Sequence, residues 1–336
     1  MRFPPTKRHT DAQAGLTLVE LLVSLAIGSF LIIGAVQIYN QSRHAFVINE
    51  SIARVQETAQ FAMDTIEADL RMAGSWGRTS RPLDIDGRSI AGNANPTSLT
   101  LASGATTCGV AWVLDLGTPV DGNNNTYALT CPEQAGTSAQ ARSDVLTIRR
   151  ASAATVTPTA GRLQIQSTRM QGKIFIGATL PAGFNTAGVP PASVTHNLLV
   201  SSYYVANNSA LIPGIPTLRR KTLVLDSGAT VIQDQEVAPG VENLQVRFGV
   251  DINGDNAVDR YVNPGDGIYI PGSGTYVAGT RVLTARVWLV VRGTGIETGI
   301  EDSQNYAPGD VTLGTYSDQV RRLQVSKTIL LRNARL

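Results

Sequence analysis

Gly15-Leu16-Thr17-Leu18-Val19-Glu20 opens the stretch that decides this chain, and an apolar run over residues 21–36 follows it. Residues 21–42 carry no charged side chain. At a rise of about 1.5 Å per residue they form a helix that spans the roughly 30 Å hydrocarbon core of a bilayer. Glu20 stands at the head of that helix, where an ionised carboxylate costs on the order of 2.5–3.5 kcal/mol at bilayer depth unless it meets a partner. Upstream, Arg2, Lys7, Arg8 and His9 outweigh the single Asp11. The positive-inside bias therefore puts the N-terminus in the cytoplasm and the remainder of the chain beyond the membrane.

A secretory signal carries its small-residue cleavage site after the apolar region; here Gly15 precedes it. Cleavage at Gly15 from the cytoplasmic side would leave the apolar helix on the mature chain and create an ammonium at Leu16, able to pair with Glu20 of a neighbouring chain. This order of basic leader, Gly, apolar residue, Glu and long apolar helix resembles the class III signal of type IV prepilins and pseudopilins. In that family a prepilin peptidase cuts after the Gly and N-methylates the next residue, and the Glu pairs with a neighbour's N-terminus during assembly. The resemblance implies cleavage between Gly15 and Leu16, methylation of Leu16 and an assembly role for Glu20. The new N-terminus is Leu rather than the commoner Phe, and Gln37 stands where major pilins usually carry a helix-kinking Pro, which argues against a main-subunit role.

Beyond the membrane segment, Ile48, Ile52, Val55, Ala59, Ala62, Ile66, Leu70 and Ala73 recur in steps of three and four, which is one helical face. Arg54, Glu57, Asp64, Glu67 and Arg71 occupy the other face. No Pro or Gly interrupts residues 39–73, and Gly74 sits where a C-cap is preferred. The spacing predicts one helix over residues 16–73, roughly 87 Å long, whose outer half needs a cover. The fold class is α+β and, by the resemblance, pilin-like: one long N-terminal helix packed on a β-rich head. The expected parts are a cleaved leader (1–15), a membrane and assembly half of the helix (16–42), an amphipathic half (43–74) and a head (75–336) with room for two sub-sheets.

Composition agrees with a turn-rich β head. Aromatic residues make up 6% and charged residues 16% of the chain, with 32 Gly and 16 Pro. Net charge is +2, without a long basic run outside the leader, so nucleic acid is not an expected partner. Alternating or β-branched runs predict strands over residues 98–101, 144–150, 162–166, 198–205, 244–250, 283–291 and 323–331. Residues 76–107 otherwise read as loop, and residues 293–319 as a long connection. Cys108 and Cys131 lie on the non-cytoplasmic side, where disulfides persist, and are expected to be bonded.

Asp251, Asn253, Asp255 and Asp259 offer side-chain oxygens at alternating positions of a nine-residue segment, with the Ala257 carbonyl between them, a spacing that can wrap calcium. The segment lacks the Gly at position six and the Glu at position twelve of an EF-hand loop, and the same residues also make an ordinary hairpin turn. Asp84-Ile85-Asp86-Gly87 and Asp121-Gly122-Asn123-Asn124-Asn125 read as turns. The three histidines, His9, His44 and His196, build no catalytic group, and no nucleophile elbow or phosphate-binding loop is present. No enzyme activity is expected, and no cofactor is required beyond the candidate calcium.

The phrase from Val241 to Asp251, the Arg286-Val287-Trp288-Leu289 run, the closing Leu330-Leu331-Arg332-Asn333 and the helix end Asp69-Leu70-Arg71-Met72-Ala73-Gly74 look like PilW-type minor pilins. That resemblance implies a subunit that helps to prime type IV pilus assembly at or near the filament tip, in support of adhesion and twitching motility. Implied partners are other minor and major pilins, a tip adhesin, the prepilin peptidase and the inner-membrane assembly platform. The chain would sit in the inner membrane, single-pass with its N-terminus inside, before assembly, and in the periplasm and pilus afterwards. Two other readings stand beside this one. A minor pseudopilin of a type II secretion system shares the leader and a β-rich head, whereas a membrane-anchored calcium-dependent binding module would need neither Gly15 cleavage nor Glu20.

Overall fold

The computed structural model describes residue 15 and residues 17–89, 99–188, 191–297 and 299–334. The leader residues 1–14, Leu16 and Ser98 lie outside these. The chain divides into two units, Met1–Ser51 and Ile52–Leu336. Helix α1 (Leu18–Met72) begins in the first and ends in the second.

In the first unit, the Thr17 hydroxyl accepts the Glu20 N–H at 3.3 Å and so satisfies one of the orphan donors of the first turn. From Leu18 to Val47 the large apolar side chains are exposed, Leu25, Phe30, Leu31 and Ile38 among them. The helix is long and apolar enough to cross a membrane.

In the second unit the periodicity becomes a packed face, with Val55, Ala59, Ala62, Met63, Ile66 and Leu70 all buried. The helix stops where Gly74 takes φ +71°, a left-handed value that favours glycine. Asn333, three residues from the C-terminus of the sequence, donates its Nδ2 to the Ala73 carbonyl at 3.1 Å. The end of the chain thereby caps the end of the helix.

Among the described residues the head contains two sheets. Strands β1 (Ile85–Asp86), β2 (Val120–Asn123), β3 (Val145–Ala151), β4 (Leu163–Ser167), β5 (Gly172–Ile176), β6 (Val194–Ala206), β7 (Thr217–Asp226) and β8 (Ala229–Pro239) form the larger. Its order is β1-β5-β4-β6-β3-β2, with β7 beside β6 and β8 beside β7. Among the described residues only β1 and β5 pair in parallel. The long β6 is its spine, pairing with β4 over 194–197, β3 over 198–203 and β7 over 201–206. Strands β9 (Val241–Asp251), β10 (Arg260–Val262), β11 (Arg281–Arg292) and β12 (Arg322–Leu330) make an antiparallel sheet in the order β10-β9-β11-β12.

One core gathers the inner face of α1 with Leu146, Tyr203, Leu244, Phe248, Val287 and Leu289, drawn from both sheets. A second lies around Trp76, Trp112, Leu163, Leu198 and the short helix α2 (Val110–Leu114). The alternation over 244–250 and 283–291 falls inside β9 and β11. Residues 99–101, by contrast, form no strand: Leu99 and Leu101 rest half-buried on the second core. Residues 85–86 and 120–123 are strands rather than turns, because β5 and β3 offer them open edges.

The hairpin of β7 and β8 has no counterpart in the periodicity reading, and its chemistry explains why. Arg219 and Lys221 are buried, and Asp234 and Glu236 on β8 neutralise them. Asp234 lies 2.7 Å from each, and Glu236 lies 3.3 Å from Arg219. A strand whose inward positions are charged shows no apolar alternation until its partner is known. Ser227 at φ 48° and Gly228 at φ 79° make the two-residue type I′ turn between them.

Candidate functional site

Two regions drew functional expectations, the head of α1 and the loop after β9. Gly15 is exposed. Leu16, the expected new N-terminus, lies outside the described residues. Glu20 is exposed in the first turn of α1, where the helix dipole favours a negative charge. Its main-chain carbonyl accepts the Ser24 hydroxyl at 2.7 Å. Among the described residues no side chain pairs with its carboxylate, so it is uncommitted on a helix segment that is otherwise apolar and exposed.

The loop after β9 holds Asp251, Asn253, Asp255, Ala257 and Asp259 together, but as a self-bonded turn. Asp251 is fully buried and accepts the N–H groups of Gly254 at 2.6 Å and Asn256 at 3.0 Å. Arg281, reaching across from β11, puts a guanidinium nitrogen 3.1 Å from the same carboxylate. Burial alone would raise the Asp251 carboxyl, but these N–H groups and the guanidinium outweigh it and hold it below the usual range. Asn253 accepts the Asp255 N–H, Asp255 accepts the Ala257 N–H, and Asp259 accepts the Ile252 N–H. The oxygens that would face a calcium ion serve the backbone, and Arg281 already supplies the positive charge. Among the described residues no group of three or more His, Cys, Asp or Glu is arranged to hold a metal.

Cys108 and Cys131 are bonded to each other, 23 residues apart, and both are buried in the second core. Arg149, buried on β3, donates to the Trp112 and Thr118 carbonyls and so ties the bridged loop to the larger sheet.

Sequence reading missed the polar contacts that fix the helix and the long connection in the head. Asp69, on the buried face of α1, accepts the Tyr203 hydroxyl at 2.7 Å and two nitrogens of Arg150 at 2.7 and 3.0 Å. Glu67 pairs with Lys327 of β12, whose hydrogen bond holds the Glu67 carboxyl low against the opposing effect of burial. Arg322, at the start of β12, has a side chain only 1% exposed. It bonds Glu242 at 2.6 Å and Asp318 at 2.6 Å, and lies 3.6 Å over the ring of Tyr316. Its hydrogen bonds pull the Asp318 carboxyl down to about 2. The signal for these was present only as single charged residues inside apolar patterns, without a hint of which partner each would find.

Comparison with known proteins adds two family matches. Residues 10–36 match the prokaryotic N-terminal methylation motif. Residues 202–333 match the type IV pilus-assembly protein W family. No curated protein matches significantly. Among solved structures, a type IV-like pilin from Thermus thermophilus aligns at 13% identity over 60% of this chain and 83% of its own, with a TM-score of 0.27. The methylation motif falls on the capped, apolar start of α1, and the pilus-assembly match runs from β6 to the Asn333 that caps the helix end. The chain is thus similar to type IV prepilins over its N-terminal methylation motif and to the type IV pilus-assembly protein W family over residues 202–333.

Proposed function

We propose that this chain is processed between Gly15 and Leu16, methylated at Leu16, and built into a type IV pilus as a minor subunit that primes assembly. The observation that carries the reading is the exposed Glu20 carboxylate, without a side-chain partner among the described residues, on a helix segment of exposed apolar residues. An apolar helix shields itself from water in a bilayer or among other helices, and a carboxylate in that setting demands a cation. The N-terminal ammonium of a neighbouring subunit meets that demand. Before assembly the chain is held in the inner membrane with its N-terminus inside, within reach of the prepilin peptidase and the assembly platform. Afterwards its head lies with other pilins and a tip adhesin, at or near the filament tip, in support of adhesion and twitching motility. The pilus-assembly match over residues 202–333 favours the pilus over a type II secretion pseudopilus. Calcium has no part in this reading, since Asp251 is committed to Arg281.

The test is the intact mass and N-terminal sequence of the protein from membranes of strains with and without the prepilin peptidase. The expected outcome is a chain beginning at methylated Leu16 in the first strain and at Met1 in the second. A chain beginning at Met1 in both would make it an ordinary anchored protein.

A further inference from the structure

The four-stranded sheet buries one face and leaves part of the other bare. Val246 and Phe248 of β9 and Ala285 and Val287 of β11 point into the first core, so the residues between them, Arg247 and Arg286, lie on the opposite face. The two arginines are directly opposed across the strand pair. Arg286 is exposed and Arg247 half-buried. Like charges in that position oppose the pairing of strands, and among the described residues neither guanidinium has a carboxylate within ion-pair distance. By contrast Arg150, Arg219, Lys221, Arg281 and Arg322, also on strands, each have a carboxylate oxygen within 3.1 Å. The Arg286 guanidinium lies 4.7 Å from the centre of the Trp288 ring, which holds it in place without neutralising it. On the neighbouring β10, Arg260 and Tyr261 are exposed, and a shallow depression of about 300 Å³ is lined by Arg247, Arg260, Tyr261, Asn263 and Asp266. Asp266 keeps its carboxylate on the Ile268 N–H at 3.0 Å, and Asp310, bonded to Asn263, is occupied by the amides of Asn124 and Asn125 as well.

A guanidinium offers a planar fork of N–H donors that matches a carboxylate in two bonds at once. Adjacent strands stand about 4.8 Å apart, so β11, β9 and β10 spread the three arginines over roughly 10 Å. In an extended peptide alternate side chains lie on one side, about 6.8 Å apart, so carboxylates at alternate positions reach more than one arginine. Nucleic acid suits the face less well. Single strands are held by bases stacked on several aromatic rings, but Arg286 already covers Trp288 and leaves Tyr261 as the exposed ring of the patch. We propose that this face of β9, β10 and β11 docks an extended acidic segment of another protein, with Asp or Glu at alternate positions bonded by Arg247, Arg286 and Arg260. The contact is made by the head and does not depend on cleavage at Gly15 or on Glu20.

The probe is a fluorescein-labelled peptide of alternating Thr and Glu, about eight residues long so that it spans the patch, and its control is the peptide of alternating Thr and Gln. Fluorescence anisotropy with the full chain in detergent is expected to show saturable binding of the Glu peptide in about the micromolar range, weakened by added salt, and no binding of the Gln peptide. Arg247→Gln with Arg286→Gln is expected to weaken the Glu peptide at least about tenfold. The same double variant removes two opposed like charges, so its thermal midpoint is expected to stay level or rise, which separates lost binding from lost folding. Arg169→Gln, at an exposed position between β4 and β5, is expected to leave binding unchanged. Equal binding of the two peptides, no saturable binding below about a millimolar, or undiminished affinity in the double variant would overturn the inference. So would tighter binding of an oligouronate or a DNA oligonucleotide through the same two arginines, which would make the face a site for another class of polyanion.

Discussion

Asp144 is where the two sheets are joined. It is 1% exposed, its carboxylate accepts the N–H groups of Asn125 at 2.8 Å and Val246 at 2.7 Å, and its own N–H goes to the Leu244 carbonyl. Burial outweighs those donors and pushes its carboxyl up to about 7, against about 4 in an unfolded chain. Between those values the folded state holds the proton more tightly than the unfolded state. Stability therefore falls as pH rises from about 4 to about 7, by on the order of 4 kcal/mol for this group. Unfolding free energies across that range should fall less steeply in Asp144→Asn than in the parent chain; equal slopes would assign the pH dependence to other groups. Asp144 and Asp69 illustrate the limit of reading at this scale. Each is one acidic letter at an element's edge or on its face, and its role depends on a distant partner, Val246 for Asp144 and Tyr203 and Arg150 for Asp69.

At the scale of elements, two devices hold long irregular segments in place. The Cys108–Cys131 bond closes a loop that contains α2 and β2. Its removal by Cys108→Ala with Cys131→Ala is expected to lower stability by about 3 kcal/mol, seen as a lower thermal midpoint that added reductant reproduces in the parent chain. Residues 293–319 are fastened by Arg322, whose guanidinium joins Glu242 of β9 to Asp318 and covers Tyr316. Arg322→Ala leaves the Glu242 carboxylate, 11% exposed, with only the more distant Arg292 at 4.0 Å, a change expected to cost about 3 kcal/mol. Limited proteolysis of that variant should cut first within residues 293–319, and protection equal to the parent's would remove Arg322 from this role. The helix and the late strands β9, β11 and β12 were legible because their apolar residues repeat with the period of the element. The hairpin of β7 and β8 was not, since Arg219-Arg220-Lys221 hides its pattern. The Ser227-Gly228 pair was the one local signal that could have revealed it.

At the scale of the molecule, the proposal rests on the separation of two tasks along one chain. In that proposal the exposed apolar half of α1 with Glu20 serves assembly, while the head has its own cores. Glu20→Leu should therefore leave the thermal midpoint of the purified protein unchanged while abolishing its incorporation into sheared pili, detected with an antibody to the head. Normal incorporation would remove Glu20 from assembly. The sequence by itself determined the membrane-length helix, its amphipathic continuation to Gly74 and the β-rich character of the head, and it supplied the expected orientation and processing point. Those properties follow from local composition and period, which a chain carries before it folds. The tertiary structure alone decided the strand order, the neutralised charges within β7 and β8, the capping of Ala73 by Asn333 and the closure of the 251–259 loop around Arg281. Each of these joins residues far apart in sequence, and the energy of such a contact depends on burial and geometry that no local pattern encodes.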